Sequence, residues 1–515
     1  MPCYKKFFAI VAILTVALPL ASDDTSRKRL EASIRFLADD LLEGRGTPGR
    51  GLDISALYLA TELRGFGWQP ADGESYFQKY ALRDFTPQQD TYKIMINGVK
   101  LDSKDFIFLP FGMDPARTPV QHDLVFAGYG IYAPEQDVDD FAGIDIKNKA
   151  VVSFFGAPWE LNPYAVHAYD RAVGKSIHVT VRNGAFLVYV SEEFESPPDS
   201  PASAEVGLFR QMAHVPYAYL PEFQGKPTIG LGPILGITPP VFDKTLAEAT
   251  GGTYAEWKER LSKKKLKARP LKAAIDVHIE VKPKESKAKN VVALLPGSDP
   301  SLRDEWIVLT AHYDHLGFHE APEGEDGIYN GADDNASGTA AVLEIARRLA
   351  EDKPPRRSVL VVFTSGEERG LLGSAHYSIH PLIQKDDIVI NINVDMVGRS
   401  TGNVYCITTG CNEIYEKTVE VGKKIGIAAL PDPFPTWRLV YLVDSYHFAR
   451  FDIPFIQFMT EFHGDYHQPS DEVKFIRFEE LGKIFEVMYE LADYYAQGGK
   501  RPTFKRPEWF LTIEE

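Results

Sequence analysis

Two adjacent glutamates, Glu367 and Glu368, come shortly after the apolar run Ser358–Thr364. Acidic side chains at the end of a buried strand are costly unless they are paired or bound to a metal ion. If one glutamate binds a metal ion, its neighbour remains free to act as a base on a nearby water molecule. An ordinary turn with two exposed glutamates is the alternative, and the apolar run before the pair disfavours it.

A histidine and an aspartate follow another candidate strand, Trp306–Thr310, which comes earlier in the chain. An imidazole that binds metal usually needs a carboxylate or carbonyl group to fix its orientation. Asp314 stands two residues after His312, where it can support that ring directly or through the neighbouring loop. On its own this His-x-Asp pair is a weak signal, since the combination is common.

Two further aspartates, Asp333 and Asp334, lie in a glycine-rich turn just before a predicted helix. Neighbouring carboxylates repel each other unless a positive charge lies beside them. A carboxylate has two oxygens and can therefore bridge two cations. The alternative is a turn in which Asn335 or Ser337 caps the following helix.

The last two candidate ligands are Asp395, which closes the apolar run Asp387–Val394, and His467, which lies in a turn ahead of Pro469. His463 is close enough in sequence to compete with His467 for the same role. Together these motifs supply the carboxylate and imidazole ligands that a hydrolytic two-metal site requires, with one carboxylate left over.

Strand-like and helical patterns alternate after residue 285, which predicts an α/β domain. Nearly continuous apolar strands indicate a mostly parallel, buried mixed sheet flanked by helices, with the active site at the carboxyl ends of the strands. The predicted strands are Asn290–Leu295, Trp306–Thr310, Ser358–Thr364, Asp387–Val394 and Ile453–Met459. The predicted helices are 26–44, Asp53–Gly65, Gly338–Ala350 and Phe478–Ala496.

Length and composition indicate a globular protein with more than one domain. The chain has 515 residues, is 44% hydrophobic and 25% charged, and carries a formal net charge of −16, so nucleic acid is not an expected partner. Short apolar runs separated by Gly, Pro and Asp predict a β-rich insert. The predicted organisation is a signal peptide at 1–22, the start of the catalytic domain at 23–89, the insert and linker at 90–284, the main catalytic part at 285–500 and a tail at 501–515.

The N-terminus has the pattern of a secretory signal. Lys5 and Lys6 precede the apolar run Phe7–Ala21, which is short for a membrane span. We therefore expect a secreted or periplasmic protein without stable membrane insertion; an uncleaved membrane anchor is the alternative. Cys406 and Cys411 would then meet an oxidising compartment, where pairing and two free thiols are both open.

These motifs resemble those of the M28 family of zinc aminopeptidases, two-zinc exopeptidases with a zinc exopeptidase fold. The early segment Leu37–Gly46 resembles the start of the family's domain, and Phe126–Pro134 with Asp140–Lys149 resembles its inserted protease-associated (PA) domain. The matching catalytic blocks are Ala311–Gly317, Asn330–Gly338, Thr364–Glu368, Asn393–Val397 and Asp465–Asp471.

The resemblance implies a role for each candidate residue. Asp333 would bridge two Zn²⁺ ions, with a cis peptide bond to Asp334. Glu367 would be the general base, and Asp314 would support one histidine ligand. The implied metal ligands are His312, Asp333 and Asp395 for one ion, and Glu368, Asp333 and His467 for the other.

One segment departs from the family's pattern. Many relatives have a Ser-Asp-His run before the last strand. This chain has Val443-Asp444-Ser445-Tyr446 there, so Ser445 replaces the family histidine. No metal ligand is lost by this change, but the substrate pocket is expected to differ. Tyr441 and Tyr446 are candidates for polarising the scissile carbonyl.

The resulting hypothesis is a secreted metallo-aminopeptidase that hydrolyses the N-terminal peptide bond of peptides with a free N-terminus. A glutaminyl cyclase or a carboxypeptidase of the same fold remains open, as does a non-catalytic receptor-like binding protein. The complete ligand set disfavours the binding protein, and the PA-like insert disfavours the cyclase.

Overall fold

The computed structural model describes residues 24–158, 171–195, 209–210, 212–213, 216–223, 226–263 and 267–512. The predicted signal peptide therefore lies outside the described residues. The helices are α1 Asp24–Leu37, α2 Arg50–Gly65, α3 Ala172–Thr180, α4 Pro239–Thr250, α5 Tyr254–Lys263, α6 Gly338–Glu351, α7 Leu372–Ile379, α8 Asn412–Ile425, α9 Tyr446–Ala449 and α10 Phe478–Ala496.

The strands belong to two large sheets and two short pairs. They are β1 Gln69–Pro70, β2 Phe77–Phe85, β3 Lys93–Ile96, β4 Val99–Lys100, β5 Phe106–Leu109, β6 Val120–Phe126, β7 Tyr132–Ala133, β8 Val138–Asp139, β9 Ala150–Phe154, β10 Phe186–Val190, β11 Tyr217–Tyr219, β12 Ile234–Ile237, β13 Arg269–His278, β14 Lys284–Leu295, β15 Trp306–His312, β16 Gly317–Phe318, β17 Ile328–Tyr329, β18 Ser358–Thr364, β19 Ile388–Val394, β20 Asn403–Ile407, β21 Ala428–Pro431 and β22 Phe455–Met459.

The larger sheet has the order β11-β2-β14-β18-β15-β19-β22-β20-β21, with β1 paired beside β14. Its central strands β18, β15, β19 and β22 run parallel, whereas β14 and β20 are antiparallel to their central neighbours. Helices α1, α2, α6 and α10 share a hydrophobic core with one face of this sheet, and α7 and α9 contribute to a core on the other. The predicted mixed α/β fold with flanking helices is therefore confirmed.

The continuous apolar runs correspond to strands that are covered on both faces. Within β18, Val359 and Val361 belong to one core, while Leu360 and Val362 belong to the core on the opposite side. Successive strand residues point to opposite faces, so a strand between two helix layers needs an apolar side chain at every position. Because of this requirement, the central strands can be predicted from the sequence.

The helix predicted over residues 26–44 is too long. Helix α1 ends at Leu37, and the chain continues into a short 3₁₀ segment, Asp40–Arg45. Inside that segment Glu43 and Gly44 have φ values of 52° and 65°, a left-handed conformation that an α-helix cannot contain. The resulting turn directs Arg45 toward the loops that form the candidate site.

Most of the 90–284 segment forms a sheet of its own, with the order β4-β3-β13-β6-β9-β10-β12-β5. Helices α3, α4 and α5 pack on it, and its hydrophobic clusters are largely separate from the main core. Three short strands depart from this pattern: β7 and β8 pair with each other, and β11 pairs antiparallel with β2 at the edge of the larger sheet. The PA-like identity of the insert stays a prediction.

Cys406 and Cys411 are both buried and are not joined by a disulfide bond. Burial raises the pKa of the Cys411 thiol to about 12. No helix within the described ranges is both long enough and apolar enough to cross a lipid bilayer.

Candidate metal centre

The candidate ligands converge where the central parallel strands end. His312 is the last residue of β15, Asp395 directly follows β19, and the Glu367–Glu368 pair lies just after β18. Because β15 lies between β18 and β19 and runs parallel to both, these carboxyl ends meet at one edge of the sheet. Parallel topology thus brings together residues that are more than eighty positions apart in the chain.

Four short contacts define the cluster. His312 Nε2 lies 3.2 Å from Asp395 Oδ1 and 3.3 Å from Asp334 Oδ1. His467 Nε2 lies 3.2 Å from Asp334 Oδ2 and 3.0 Å from Glu368 Oε2. The carboxylate of Asp334 therefore stands between the two imidazoles and directs one oxygen toward each.

The structure gives Asp333, the predicted bridging ligand, a different environment. Its Oδ1 accepts hydrogen bonds from the Gly398 amide at 2.6 Å and the Ser337 hydroxyl at 3.0 Å, and its Oδ2 faces His463 Nε2 at 3.2 Å. The predicted cis bond between Asp333 and Asp334 is wrong, because the cis peptide joins Asp334 to Asn335. The neighbouring aspartate, Asp334, occupies the central place that the sequence had suggested for Asp333.

The two glutamates have different surroundings. Glu368 contacts His467, whereas Glu367 lies near His312. One ligand atom from each of His312, Glu367 and Glu368 lies within 4.8 Å of the other two. Asp314 connects this loop to the histidine: its Oδ1 accepts the Glu367 amide at 3.2 Å and lies 3.8 Å from His312 Nδ1. The backbone carbonyl of Asp314 is closer to that ring nitrogen, at 3.3 Å.

A further histidine, His315, contacts the oxygen of Glu368 that does not face His467. Its Nδ1 lies 2.6 Å from Glu368 Oε1, and its side chain is fully buried. Its Nε2 is buried without a hydrogen-bond partner among the described residues. Sequence reasoning gave His315 no role, although it lies inside the Ala311–Gly317 block.

The buried carboxylate of Asp471 and the buried guanidinium of Arg45 hold the loops in place. Asp471 Oδ2 accepts the amides of Asp333 and Asp334 at 2.9 and 3.0 Å, and its Oδ1 is paired with Arg399 at 3.0 Å. Arg45 is 1% exposed and donates to the carbonyls of Tyr313 and Gly331 at 3.0 Å each. Arg45 belongs to the early segment Leu37–Gly46, and it thus connects the loop after His312 to the loop before Asp334.

Burial and the charges of neighbouring groups shift the pKa values of several residues in the cluster. Burial raises the pKa of Glu367 well above its usual range. Burial opposes the charged form of His312, but the carboxylates of Asp395 and Glu367 outweigh it and hold the pKa of that histidine well above normal. Burial also raises the pKa of Asp314, to about 6. Glu368 shows the opposite balance, since His467 and His315 overcome burial and lower its pKa to about 2.

The structure separates the three tyrosines near the site. Tyr441 donates its hydroxyl to the carbonyls of Trp509 and Leu511 at 3.2 and 3.0 Å, and it is 1% exposed, so it does not reach the cluster. Tyr446 is also fully buried. Tyr466, which sequence reasoning missed, stacks on His467 with a centroid distance of 3.8 Å. Burial and the nearby carboxylates of the cluster raise its pKa well above normal.

The ligand set fits a pair of zinc ions in composition and spacing. Imidazole and carboxylate groups bind Zn²⁺ at about 2.0–2.2 Å, which places tetrahedral ligand atoms roughly 3.3 Å apart. The four nitrogen–oxygen distances from 3.0 to 3.3 Å agree with that edge length. The same types of ligand also suit cobalt and manganese.

Comparisons with known proteins find similarity to an aminopeptidase and to a probable zinc metalloprotease. Aminopeptidase YwaD of Bacillus subtilis (strain 168) is 32% identical over 196 residues, which cover 35% of this chain and 39% of that protein. A probable zinc metalloprotease of Leptosphaeria maculans is 36% identical over 114 residues, which cover 22% of this chain and 25% of that protein. The matches thus span well under half of the length of these relatives.

A solved structure supports the fold over nearly the whole chain. The aminopeptidase from Aneurinibacillus sp. strain AM-1 superposes with a TM-score of 0.50 at 17% identity, covering 96% of this chain and 97% of that one. Residues 290–492, which contain every residue of the cluster, match the family described as Peptidase family M28. This region of the chain, from 290 to 492, is thus similar to peptidase family M28.

Proposed function

We propose that this protein is a metallo-aminopeptidase that removes the N-terminal residue from peptides. The observation that carries the proposal is the position of the Asp334 carboxylate between His312 and His467, at 3.3 and 3.2 Å. A carboxylate shared by two imidazoles, each beside a further carboxylate, is the ligand arrangement of a two-metal hydrolytic site. The M28 domain at residues 290–492 supports a peptidase over other hydrolases.

In this proposal the site would hold two zinc ions, with Asp334 as a ligand of both. His312 and Asp395 would complete the ligands of one ion, and Glu368 and His467 those of the other. When bound, the ions supply Lewis acidity, which polarises a peptide carbonyl and lowers the pKa of a water molecule. His315 holds the second oxygen of Glu368, and so fixes the direction in which that carboxylate points.

Glu367 is the general base of the proposed reaction. Its carboxylate takes a proton from the attacking water and returns it to the leaving amine. The amide of Glu367 is held by Asp314, which also lies beside His312, so one buried carboxylate aligns the base with a metal ligand. The hydroxyl of Tyr466 is the proposed donor to the scissile carbonyl oxygen, since this ring lies against His467.

The free α-amine of the substrate explains why cleavage would be restricted to the first residue. In the metal-loaded site one of the bound ions would hold the uncharged α-amine of the substrate, because ions of the zinc class accept nitrogen ligands. An internal peptide bond presents no such group. We therefore expect a blocked N-terminus to abolish cleavage.

The insert is proposed to limit access by large substrates. Thr228 lies in the 90–284 segment and donates its hydroxyl to the carbonyl of Gly370, close to the base. Its carbonyl lies 2.8 Å from Nε2 of His447. The contact of Thr228 with Gly370, three residues after Glu367, supports this gating role. Short peptides should then be cleaved much faster than the exposed N-termini of folded proteins, and equal rates would remove the gating role.

A substrate panel separates the aminopeptidase from the other reactions that remain open. We expect turnover of aminoacyl-arylamides and none of N-blocked peptides. Cyclisation of peptides that begin with glutamine would identify a glutaminyl cyclase, and release of acidic C-terminal residues would identify a carboxypeptidase. Tight peptide binding without turnover in the metal-loaded protein would identify a receptor-like binding protein.

Neighbouring substitutions separate the base from the ligand. Glu367→Gln keeps the size of the side chain but cannot accept a proton, so turnover should fall by about 10²–10⁴-fold while both ions stay bound. Glu368→Gln should instead lose activity through loss of metal. The measurements are metal content and turnover of an aminoacyl-arylamide. Full activity in both variants would show that catalysis occurs elsewhere.

Export to the periplasm or the medium is part of the same proposal. It is supported by Lys5, Lys6 and the apolar run Phe7–Ala21.

A further inference from the structure

Three potential metal ligands meet outside the catalytic cluster. His376 lies in the last turn of α7, and His380 directly follows that helix. Glu222 comes from the 3₁₀ turn Pro221–Phe223 in the insert segment. His376 Nδ1 lies 2.8 Å from Glu222 Oε1, and His380 Nε2 lies 3.3 Å from Glu222 Oε2. One nitrogen or oxygen atom from each residue falls within 4.8 Å of the others. This group shares no residue with the catalytic cluster.

The helix positions the two histidines for joint binding. The amide of His380, the residue directly after the helix, donates to the carbonyl of His376 at 3.0 Å, and the two rings are 4.7 Å apart between centroids. The last turn of a helix also favours a cation, because its unpaired carbonyls carry partial negative charge. A site at this end of α7 therefore has a favourable local field as well as ligands.

The neighbouring strand β2 holds both histidines in place. Tyr80 stacks on the ring of His376 with a centroid distance of 5.0 Å, and Gln78 donates to the carbonyl of His380 at 2.7 Å. His376 is almost fully buried, which fixes its ring before any ion binds. A buried, pre-oriented imidazole reduces the entropic cost of forming a metal site.

The spacing of the three ligands fits a small divalent cation. Tetrahedral zinc with nitrogen and oxygen ligands needs ligand atoms roughly 3.3 Å apart. The His376–Glu222 contact is 2.8 Å and the His380–Glu222 contact is 3.3 Å, but they involve different oxygens of Glu222, so this partly exposed carboxylate has to turn for the three ligands to face one ion. His380 keeps 54% of its side chain exposed and Glu222 keeps 32%, so an ion can enter and a water molecule can occupy the fourth position.

We propose that Glu222, His376 and His380 form a separate binding site for a divalent transition-metal ion of the zinc class. Two imidazoles and one carboxylate are the ligands that such ions prefer. The ion would join the insert segment to α7. The amide of Leu371, just before this helix, donates to the carbonyl of Glu367 at 2.9 Å, so the site would also stabilise the helix that follows the catalytic loop.

The experiment is equilibrium dialysis of the full chain against Zn²⁺, followed by counting the ions bound per chain. The wild type is compared with His380→Asn and Glu222→Gln, two substitutions on partly exposed side chains that should preserve the fold. His278→Asn is the matched control, because His278 is a partly exposed histidine beside a single glutamate, Glu280, at 3.8 Å.

Both site variants should bind one ion fewer than the wild type and the His278→Asn control. Titration at limiting zinc should show that the zinc affinity of this site falls by at least about tenfold. Loss of a group that only supports a metal ligand already lowers metal affinity by roughly 10–100-fold. Equal counts in all four proteins would overturn the proposal and leave Glu222 as a hydrogen-bond acceptor for two histidines. An equal loss in the control would overturn it as well.

The result is independent of the proposed aminopeptidase activity. Glu368→Gln should lose ions from the catalytic cluster and still bind the ion at Glu222, His376 and His380. Conversely, His380→Asn should keep the catalytic ions and turnover of an aminoacyl-arylamide. If Glu368→Gln loses metal while His380→Asn does not, the catalytic proposal stands and the additional site fails.

Discussion

Replacing Asp334 by asparagine tests which of two adjacent aspartates the metal pair shares. Asparagine keeps the shape and one oxygen of the side chain but removes the charge and the second oxygen donor. The two carboxylate oxygens of Asp334 lie 3.3 Å from His312 and 3.2 Å from His467, so both ions would lose a ligand at once.

The expected size of the effect follows from that shared position. Loss of a group that merely orients a metal ligand lowers metal affinity by roughly 10–100-fold. A charged ligand common to both ions should cost at least the upper value for each of them. We therefore expect binding of each ion to weaken by at least about 100-fold, or about 2.8 kcal/mol. Turnover should fall with the fraction of protein that still holds both ions.

Asp333→Asn is the matched control, one residue away in the same buried loop. Its Oδ1 accepts from the Gly398 amide and the Ser337 hydroxyl, and an asparagine oxygen can keep both hydrogen bonds. Metal content and turnover should therefore stay near wild type, with a loss of stability of about 0.5–1.5 kcal/mol at most. Metal is counted after dialysis at fixed zinc, and stability is measured by thermal unfolding. Loss of metal from Asp333→Asn together with retention in Asp334→Asn would refute the assignment.

Three other outcomes are expected. Tyr466→Phe should lower kcat by up to about 10²–10³-fold with both ions retained, as for loss of one donor to a developing oxyanion, and an unchanged kcat would exclude that role. Burial opposes the charged form of His467, but Glu368 and Asp334 outweigh it and raise its pKa well above normal, as carboxylates do for His312. Below such a pKa an ion must displace a proton, so zinc affinity should rise from pH 6 to pH 8, and a pH-independent affinity would contradict this reasoning. N-terminal sequencing of secreted material should find a chain that begins near Ser22, whereas a start at Met1 would favour the membrane anchor.

Local patterns were enough to predict much of the secondary structure. The strand Ser358–Thr364 and the helix Phe478–Ala496 have the bounds that the sequence predicted. Both are long segments in which burial on two faces, or on one helical face, leaves a continuous or periodic apolar pattern. The helix over 26–44 was predicted too long, because its end depends on the left-handed residues Glu43 and Gly44 rather than on a change in hydrophobicity.

The types of residue in the candidate site could also be predicted, but their arrangement could not. Asp333 and Asp334 have the same side chain, and only the path of the loop decides which one faces the histidines. In the structure Asp334 has φ −104° and ψ 94°, a conformation outside the helix that follows, and Asp471 holds the amides of both aspartates. Sequence spacing contains no information on that orientation.

The remaining contacts of the site join residues that are far apart in the chain. Arg45 reaches the carbonyls of Tyr313 and Gly331 across 268 and 286 positions, and Glu222 reaches His376 across 154. The amino-acid sequence by itself determined which ligands were available and the strands after which they lie. Tertiary structure decided which atoms meet, because the order of parallel strands and the paths of the loops depend on packing over the whole domain.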